Sequence, residues 1–217
     1  MKSDFMVKKY KHIWILLLYT PIYLIWFFVL EQRTGLTPIL IQSRFDAVIP
    51  FNEWFIIPYL IWFPYLVGGA VYFFWRGAKS DEERHQYYQM AFFLVSGMTI
   101  CLAIYTIWPN GLHLRPNTYP RQNIATRIVA KLQGFDTPTN VCPSLHVYTS
   151  LVINSVICRS KMFRKNTLVK VLSPVIMVLI IISTVFLKQH SVVDVFWALI
   201  LFIVLYFVTY YVVLREK

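Results

Sequence analysis

The chain of 217 residues is 58% hydrophobic, 18% aromatic and only 14% charged, whereas an average soluble domain is about 25% charged. Several charge-free runs are long enough to cross a hydrocarbon core of about 30 Å, which takes about 20 helical residues. This composition excludes a soluble globular domain, a disulfide scaffold and a disordered tail. The net charge is +11, and the basic residues that produce it lie between the apolar runs. This distribution indicates membrane topology rather than nucleic-acid binding.

Six apolar runs predict the fold class, an all-α polytopic membrane helix bundle with about six transmembrane helices in a single domain, 1–217. The first run has no small-residue cleavage site near its end, so it predicts an uncleaved anchor. The fourth has the weakest hydropathy because it contains His146 and Asn154. The predicted spans lie near 13–30, 54–75, 87–108, 144–158, 171–187 and 192–214.

The basic residues predict the orientation of these spans, because lysine and arginine favour the cytoplasmic side. Fourteen of the 21 lie in the N-terminal tail, after the second and fourth spans, and at the C-terminus. The other seven lie in the remaining connections. Both termini are therefore expected in the cytoplasm of an integral, multi-pass cell-membrane protein. The 109–143 loop and the 188–190 turn are expected together at the outer face.

The 109–143 loop is longer than the roughly 15 residues beyond which unstructured connections become uncommon. Within 123–132, apolar residues recur at helical spacing on one face and Arg127 and Lys131 lie on another. This pattern predicts a periplasmic or extracellular interfacial helix. The helix is either a membrane-surface spacer or a lid that guides a substrate.

His190 and Asp194 are four residues apart, a spacing that places two side chains on the same helix face. The carboxylate can accept the proton of one ring nitrogen and leave the other nitrogen free as a nucleophile or base. The same spacing also occurs as a structural ion pair. Because ionisable groups at a membrane span are costly, the pair is a functional candidate.

Ser144 and His146 follow Pro143 at the predicted start of the fourth span. The free N–H groups of a helix start form an anion site, to which the Ser144 hydroxyl would add a donor. His146 would protonate a leaving oxygen, or else serve as a capping or packing histidine. The Arg115 guanidinium has the geometry to bind phosphate, although it also fits an interfacial arginine. The ammonium of Lys188 is expected at the same membrane edge, where it either adds a positive charge to the anion site or snorkels from a helix end toward water.

These residues resemble the type 2 phosphatidic acid phosphatase superfamily of membrane lipid phosphatases. That family carries the signatures Lys-x6-Arg-Pro, Pro-Ser-Gly-His and Ser-Arg-x5-His-x3-Asp. Arg115 with the following proline matches the first, 143–146 the second and 183–194 the third. The sequence departs from these signatures at Trp108, Leu145 and Thr184, where the family has lysine, glycine and arginine.

The resemblance implies that His190 attacks phosphorus, that Asp194 orients it and that His146 protonates the leaving alcohol. The residues expected to hold the phosphoryl oxygens are Arg115, Ser144 and Ser183, with Lys188 and Arg121 in place of the two missing cations. No cofactor is expected, and no carboxylate cluster suited to magnesium is evident in the sequence.

The expected function is that of a metal-independent membrane phosphatase that hydrolyses a lipid phosphate monoester or diphosphate through a phosphohistidine. The expected partner is that lipid, at the outer leaflet. One alternative is a lipid head-group phosphotransferase of the same fold, and another is a non-catalytic lipid-binding or transport protein.

Overall fold

A computed structural model describes residues 12, 14–35 and 37–214. The basic N-terminal tail, the predicted span start at residue 13 and the last three residues lie outside this part of the chain. The predicted all-α bundle is confirmed. Its helices are α1 (Trp14–Glu31), α2 (Arg44–Val48), α3 (Ile56–Gly77), α4 (Asp81–Ile107), α5 (Ile124–Phe135), α6 (Leu145–Arg159), α7 (Thr167–Phe186) and α8 (Val192–Phe207). Short 3-10 helices lie at Glu53–Phe55 and Lys161–Phe163, and α8 continues into a π-helix at Val208–Val213.

Five segments of the described chain are long and apolar enough to cross a membrane. They are Trp14–Glu31, Glu53–Gly77, Asp81–Ile107, Thr167–Phe186 and Val192–Val213.

The predicted span at 144–158 corresponds to α6, which has 15 residues, ten of them buried. This helix packs against α3, α4, α7 and α8, so its neighbours are protein rather than lipid. Its polar side chains find partners there. Trp62 Nε1 donates to Thr149 Oγ1 over 2.8 Å, and Ser173 Oγ donates to Asn154 Oδ1 over 2.9 Å. An interior position therefore explains the weak hydropathy of this run.

The contact between α4 and α6 depends on a glycine. A Cβ atom added to Gly97 would lie 2.0 Å from Cζ of Tyr148, far inside van der Waals distance. The Tyr148 ring occupies that space, and its hydroxyl donates to the carbonyl oxygen of Phe93 over 2.5 Å. The core of the bundle is thus built around the close approach of these two helices.

The loops that precede α3, α6 and α8 gather at one end of the bundle. Strands β1 (Ile39–Leu40) and β2 (Asn110–Gly111) pair in parallel there, with Ile39 opposite Asn110. The N–H of Asn52 donates to the carbonyl oxygen of Phe186 over 3.1 Å, which ties the first loop to the end of α7. The long loop and the 188–190 turn therefore lie at the same end, as the sequence predicts.

The amphipathic piece of the long loop is helical and extends to Phe135 as α5. A capping box fixes its start, because Asn123 Oδ1 accepts from the Thr126 N–H and Thr126 Oγ1 accepts from the Asn123 N–H. Val129 is buried against the start of α3, whereas Ile124 is 70% and Phe135 88% exposed. The helix thus has a packed face and an exposed apolar face, and its place at the membrane surface stays a prediction.

Candidate active site

His146, His190 and Asp194 come together where α6 and α8 begin. Nδ1 of His190 lies 3.2 Å from Oδ2 of Asp194, and Nε2 of His190 lies 3.4 Å from Nδ1 of His146. Asp194 is fully buried and His190 is 6% exposed. Three side chains from two separate helix starts therefore form one continuous chain of polar contacts.

The contacts of Asp194 assign the tautomer of His190. Oδ2 of Asp194 also accepts the N–H of Ser191 over 2.9 Å, so this oxygen acts as an acceptor. Nδ1 of His190 is then the protonated nitrogen, and Nε2 carries the lone pair. Burial lowers the pKa of His190 to about 3, with the charge of Arg115 adding to that effect and the Val141 backbone opposing it. His190 is therefore a neutral imidazole with its free nitrogen toward His146.

Two aromatic rings of α3 hold His146 in place. The ring centroids of Tyr59 and Trp62 lie 4.7 Å and 4.3 Å from that of His146. Trp62 is itself anchored by its hydrogen bond to Thr149, one turn further along α6. The imidazole of His146 is thus fixed by ring packing and faces His190.

Both histidines line a cavity of about 340 Å³. Its wall is mainly apolar, with side chains from α1, α3 and α5 and from the segment that follows α5. These include Tyr23, Leu24, Phe27, Tyr59, Trp62, Phe63, Leu132 and Phe135. Because α6 begins at this cavity with Leu145 and His146 in the lining, its helix dipole adds positive potential there.

The charged side chains of the cavity wall are acidic. Glu31 and Asp136 line it, and no lysine or arginine does so among the described residues. Glu31 accepts from the Thr137 N–H over 3.0 Å and from Asn140 Nδ2 over 2.8 Å. Burial raises the pKa of the Asp136 carboxyl to about 6, with Arg115 opposing and Glu31 adding to the shift. The wall therefore supplies no cation for a phosphate.

Arg115 lies behind the cavity rather than in its wall. Its Nη1 donates to the carbonyl oxygens of Gln133 and Asp136 over 3.1 and 2.6 Å, and its Nη2 donates to that of Thr137 over 3.2 Å. The same Nη2 donates to Oε1 of Gln189 over 2.6 Å. The guanidinium, expected to bind phosphate directly, thus holds the segment after α5 and the residue before His190.

The two serines also point their hydroxyls at the protein. Ser144 is the N-cap of α6, where its Oγ accepts from the Val147 N–H over 3.4 Å. Ser183 Oγ donates to the carbonyl oxygen of Ile180 over 2.6 Å. Both residues are fully buried, and neither is in the cavity lining.

Lys188 and Arg121, the candidates for the missing cations, are bound elsewhere. Nζ of Lys188 donates to the carbonyl oxygens of Asp46 and Ile49 over 2.6 and 2.5 Å. Burial lowers the pKa of Lys188, and Asp46 opposes that shift. Arg121 pairs with buried Glu53 over 2.8 Å. Neither residue lines the cavity. Each cation instead joins its own loop to the segment that contains Asp46 and Glu53.

Asp46 is a site residue that the sequence reasoning missed. It lies on the short helix α2, is 1% exposed, and accepts from Ser191 Oγ over 2.7 Å and from the Val192 N–H over 2.9 Å. A carboxylate from a distant loop thus occupies the N-terminus of α8, beside Asp194. The Ser43-x-x-Asp46 capping pattern was visible in the sequence, but its contact with α8 was not.

Gln189 and Asn110 were also missed. Gln189 is 2% exposed and lines the cavity beside His190. Asn110 is fully buried, and its Oδ1 accepts from the N–H groups of Val141 and Cys142 over 2.9 and 2.8 Å. It thereby fixes the segment that leads into α6. No sequence signal distinguished these amides from ordinary loop residues.

Comparison with known proteins identifies the class. The sequence model of the PAP2 superfamily matches residues 86–217, more than half of the chain, and this match includes both histidines and Asp194. The chain therefore belongs to the PAP2 superfamily and, with its membrane-length apolar helices, is an integral membrane protein. Searches of curated proteins and of solved structures return no match. Membership of the superfamily indicates activity of the phosphatase or phosphotransferase type.

Asp46→Asn is expected to destabilise the protein by about 1–3 kcal/mol, because the buried N-terminus of α8 loses a charged acceptor. The melting temperature in detergent measures this effect. Asp81→Asn is the matched control, since the Asp81 side chain is 95% exposed at the opposite end of the bundle. Equal melting temperatures for the two variants would contradict the role assigned to Asp46.

The low pKa of His190 predicts that the acid limb of kcat/KM has its midpoint below pH 6.5, the ordinary histidine value. Burial favours the neutral imidazole, so protonation that removes the lone pair occurs only at lower pH. Asp136→Asn separates the titration of His190 from that of Asp136, because it deletes the carboxyl whose pKa is about 6. An acid limb at or above pH 6.5 in both proteins would show that burial does not control His190.

Proposed function

We propose that the chain is a metal-independent membrane phosphatase that hydrolyses a lipid phosphate monoester or diphosphate through a phosphohistidine. The observation that carries the proposal is the placement of His190, with Nδ1 on Asp194 and Nε2 3.4 Å from His146. The described histidine, cysteine, aspartate and glutamate residues include no group of three that would hold a metal ion. The histidines are the groups at hand for phosphoryl transfer.

In the first step, Nε2 of His190 attacks phosphorus and forms a P–N bond while the P–O bond to the alcohol or phosphate breaks. His146, which enters this step as an imidazolium, gives a proton to the departing oxygen and becomes neutral. In the second step, neutral His146 takes a proton from water, which attacks phosphorus, and the P–N bond breaks. Asp194 holds the Nδ1–H of His190 throughout and stabilises the charge that develops on its ring.

The apolar wall of the cavity supports a lipid as the substrate. Leu24 on α1 and Phe63 on α3 line the cavity and are also 55% and 49% exposed. Hydrocarbon tails would contact such side chains, while the phosphate reaches the histidines at the helix starts. The proposed partner is therefore a membrane lipid that presents its phosphate at the bundle end.

A second candidate, transfer of a lipid head group to an alcohol, is favoured by the charge of the cavity. A phosphate monoester carries about −1.5 to −2 at neutral pH, whereas a phosphodiester carries a single charge. The wall contains Glu31 and Asp136 and, within the described residues, no lysine or arginine. Such a wall repels a diester less than a monoester.

The test is a release assay without added metal over a lipid monoester, a lipid diphosphate and a phosphodiester lipid supplied with an alcohol acceptor. His190→Ala should lower the rate by about 10³-fold or more, because the attacking nitrogen is lost. His113→Ala is the matched control, since His113 is an exposed histidine of the long loop.

An aryl phosphate separates the two histidines, because its leaving group departs without a proton. With this substrate, His146→Ala should still phosphorylate His190 and accumulate the phosphohistidine, which mass spectrometry detects. Turnover of the diester alone would favour head-group transfer over hydrolysis. Activity that survives His190→Ala, or that needs a metal, would refute the mechanism.

We also propose that the site faces outward and that both termini are cytoplasmic. The support is the excess of lysine and arginine in the segments assigned to the cytoplasm, fourteen against seven. In a Cys158→Ser background, which removes the exposed native thiol, a membrane-impermeant thiol reagent should label Asn117→Cys in intact cells, since Asn117 is exposed in the long loop. Failure to label it in intact cells, with labelling after permeabilisation, would reverse the orientation.

A further inference from the structure

We propose that Gln189 is the donor that holds the phosphoryl group, and that it connects the group to the charge of Arg115. In this arrangement Nε2 of Gln189 donates to a phosphoryl oxygen while Oε1 accepts from Arg115. The inference rests on the proposed function, because it assigns a binding residue within the same cavity. It replaces direct contact between the arginine and phosphate by contact through a neutral amide.

The orientation of the Gln189 amide follows from its partner. A guanidinium has donors and no acceptor, so the atom 2.6 Å from Nη2 of Arg115 must be the carbonyl oxygen, Oε1. The amide nitrogen is then at the other end of the group. Arg115 therefore determines which face of Gln189 is free to donate.

The amide nitrogen lacks an acceptor within the described part of the chain. Nε2 of Gln189 is buried and has no hydrogen-bond partner there. The residue as a whole is only 2% exposed, so water does not replace the missing partner. A buried donor without an acceptor is costly, and native proteins rarely leave one unpaired. Gln189 lines the cavity together with His146 and His190, so a rotation of its side chain toward a bound ligand would give Nε2 an acceptor.

The predicted cations and serines lie outside the cavity lining, and each already binds protein atoms. The Nη atoms of Arg115 bind backbone carbonyls as well as Gln189. Lys188 binds the carbonyl oxygens at the end of α2, and the Ser144 hydroxyl caps α6. Gln189 is the amide donor that directly precedes the attacking histidine in the chain, and its contact with a cation polarises its N–H groups.

The test compares Gln189→Glu and Gln189→Met with Gln133→Glu. The first variant keeps an oxygen for Arg115 but replaces the donor with a second acceptor, and the second variant removes the polar group without adding charge. Gln133 is a partly buried glutamine of α5 that contacts Tyr119 and Leu187 and lies outside the cavity lining. The probe is orthovanadate, an analogue of the phosphoryl group, measured by its inhibition constant and by its effect on the melting temperature.

Both Gln189 variants should raise the inhibition constant of orthovanadate and lower kcat/KM by about 10²-fold, the loss typical of one donor to a developing oxyanion. Without ligand, Gln189→Glu should melt near Gln133→Glu, which should bind orthovanadate like the wild type. Gln189→Met should melt lower, because it removes the acceptor of the Arg115 Nη2 group. If Gln189→Glu binds and turns over like the wild type, the assignment of Gln189 is wrong while the proposed function stands. If the wild type neither binds orthovanadate nor transfers phosphate, both proposals fail.

Discussion

The buried carboxylate of Asp194 is the constraint on which the site depends. Through Oδ2 it accepts from both His190 and the Ser191 N–H, so the start of α8 and the ring orientation of His190 are one structure. Asp46 accepts hydrogen bonds from the Ser191 hydroxyl and the Val192 N–H of the same turn. The two acidic side chains lie close together in a dry space, where Oδ2 of Asp194 has two donors and the Asp46 carboxylate has three. The histidine is thereby held rigidly rather than on a loose loop.

Much of the fold and the central residues could be predicted from the sequence, because lipid imposes a simple rule on helix composition. The apolar runs identified the helices. The four-residue spacing of His190 and Asp194 identified the contact between these two side chains. The run at 144–158 has weak hydropathy because α6 contacts other helices rather than lipid, and its side chains can therefore be polar. The prediction that His146 joins His190 needed only that two helix starts lie at the same membrane face.

The roles of the cations could not be predicted, because they depend on how the loops fold onto one another. Lys188 adopts φ +57°, and its Nζ reaches the carbonyls at the end of α2. Arg115 is surrounded by the carbonyls of the segment after α5. A family signature reports which residue types recur, whereas the partner that a guanidinium selects depends on tertiary distances. Asp46 and Gln189 were missed for the same reason.

The position of α1 gives the cavity an unusual boundary. Leu30 is the buried residue of this helix, and its main packing partner is α4, so most of its surface has no protein beside it. Leu24 belongs to the cavity wall and to the outer surface at once. In a bilayer, the surrounding acyl chains therefore complete the enclosure that side chains begin. In a membrane, the annular lipids are thus expected to form part of the chamber wall, so that its shape depends on their length and order as well as on the sequence.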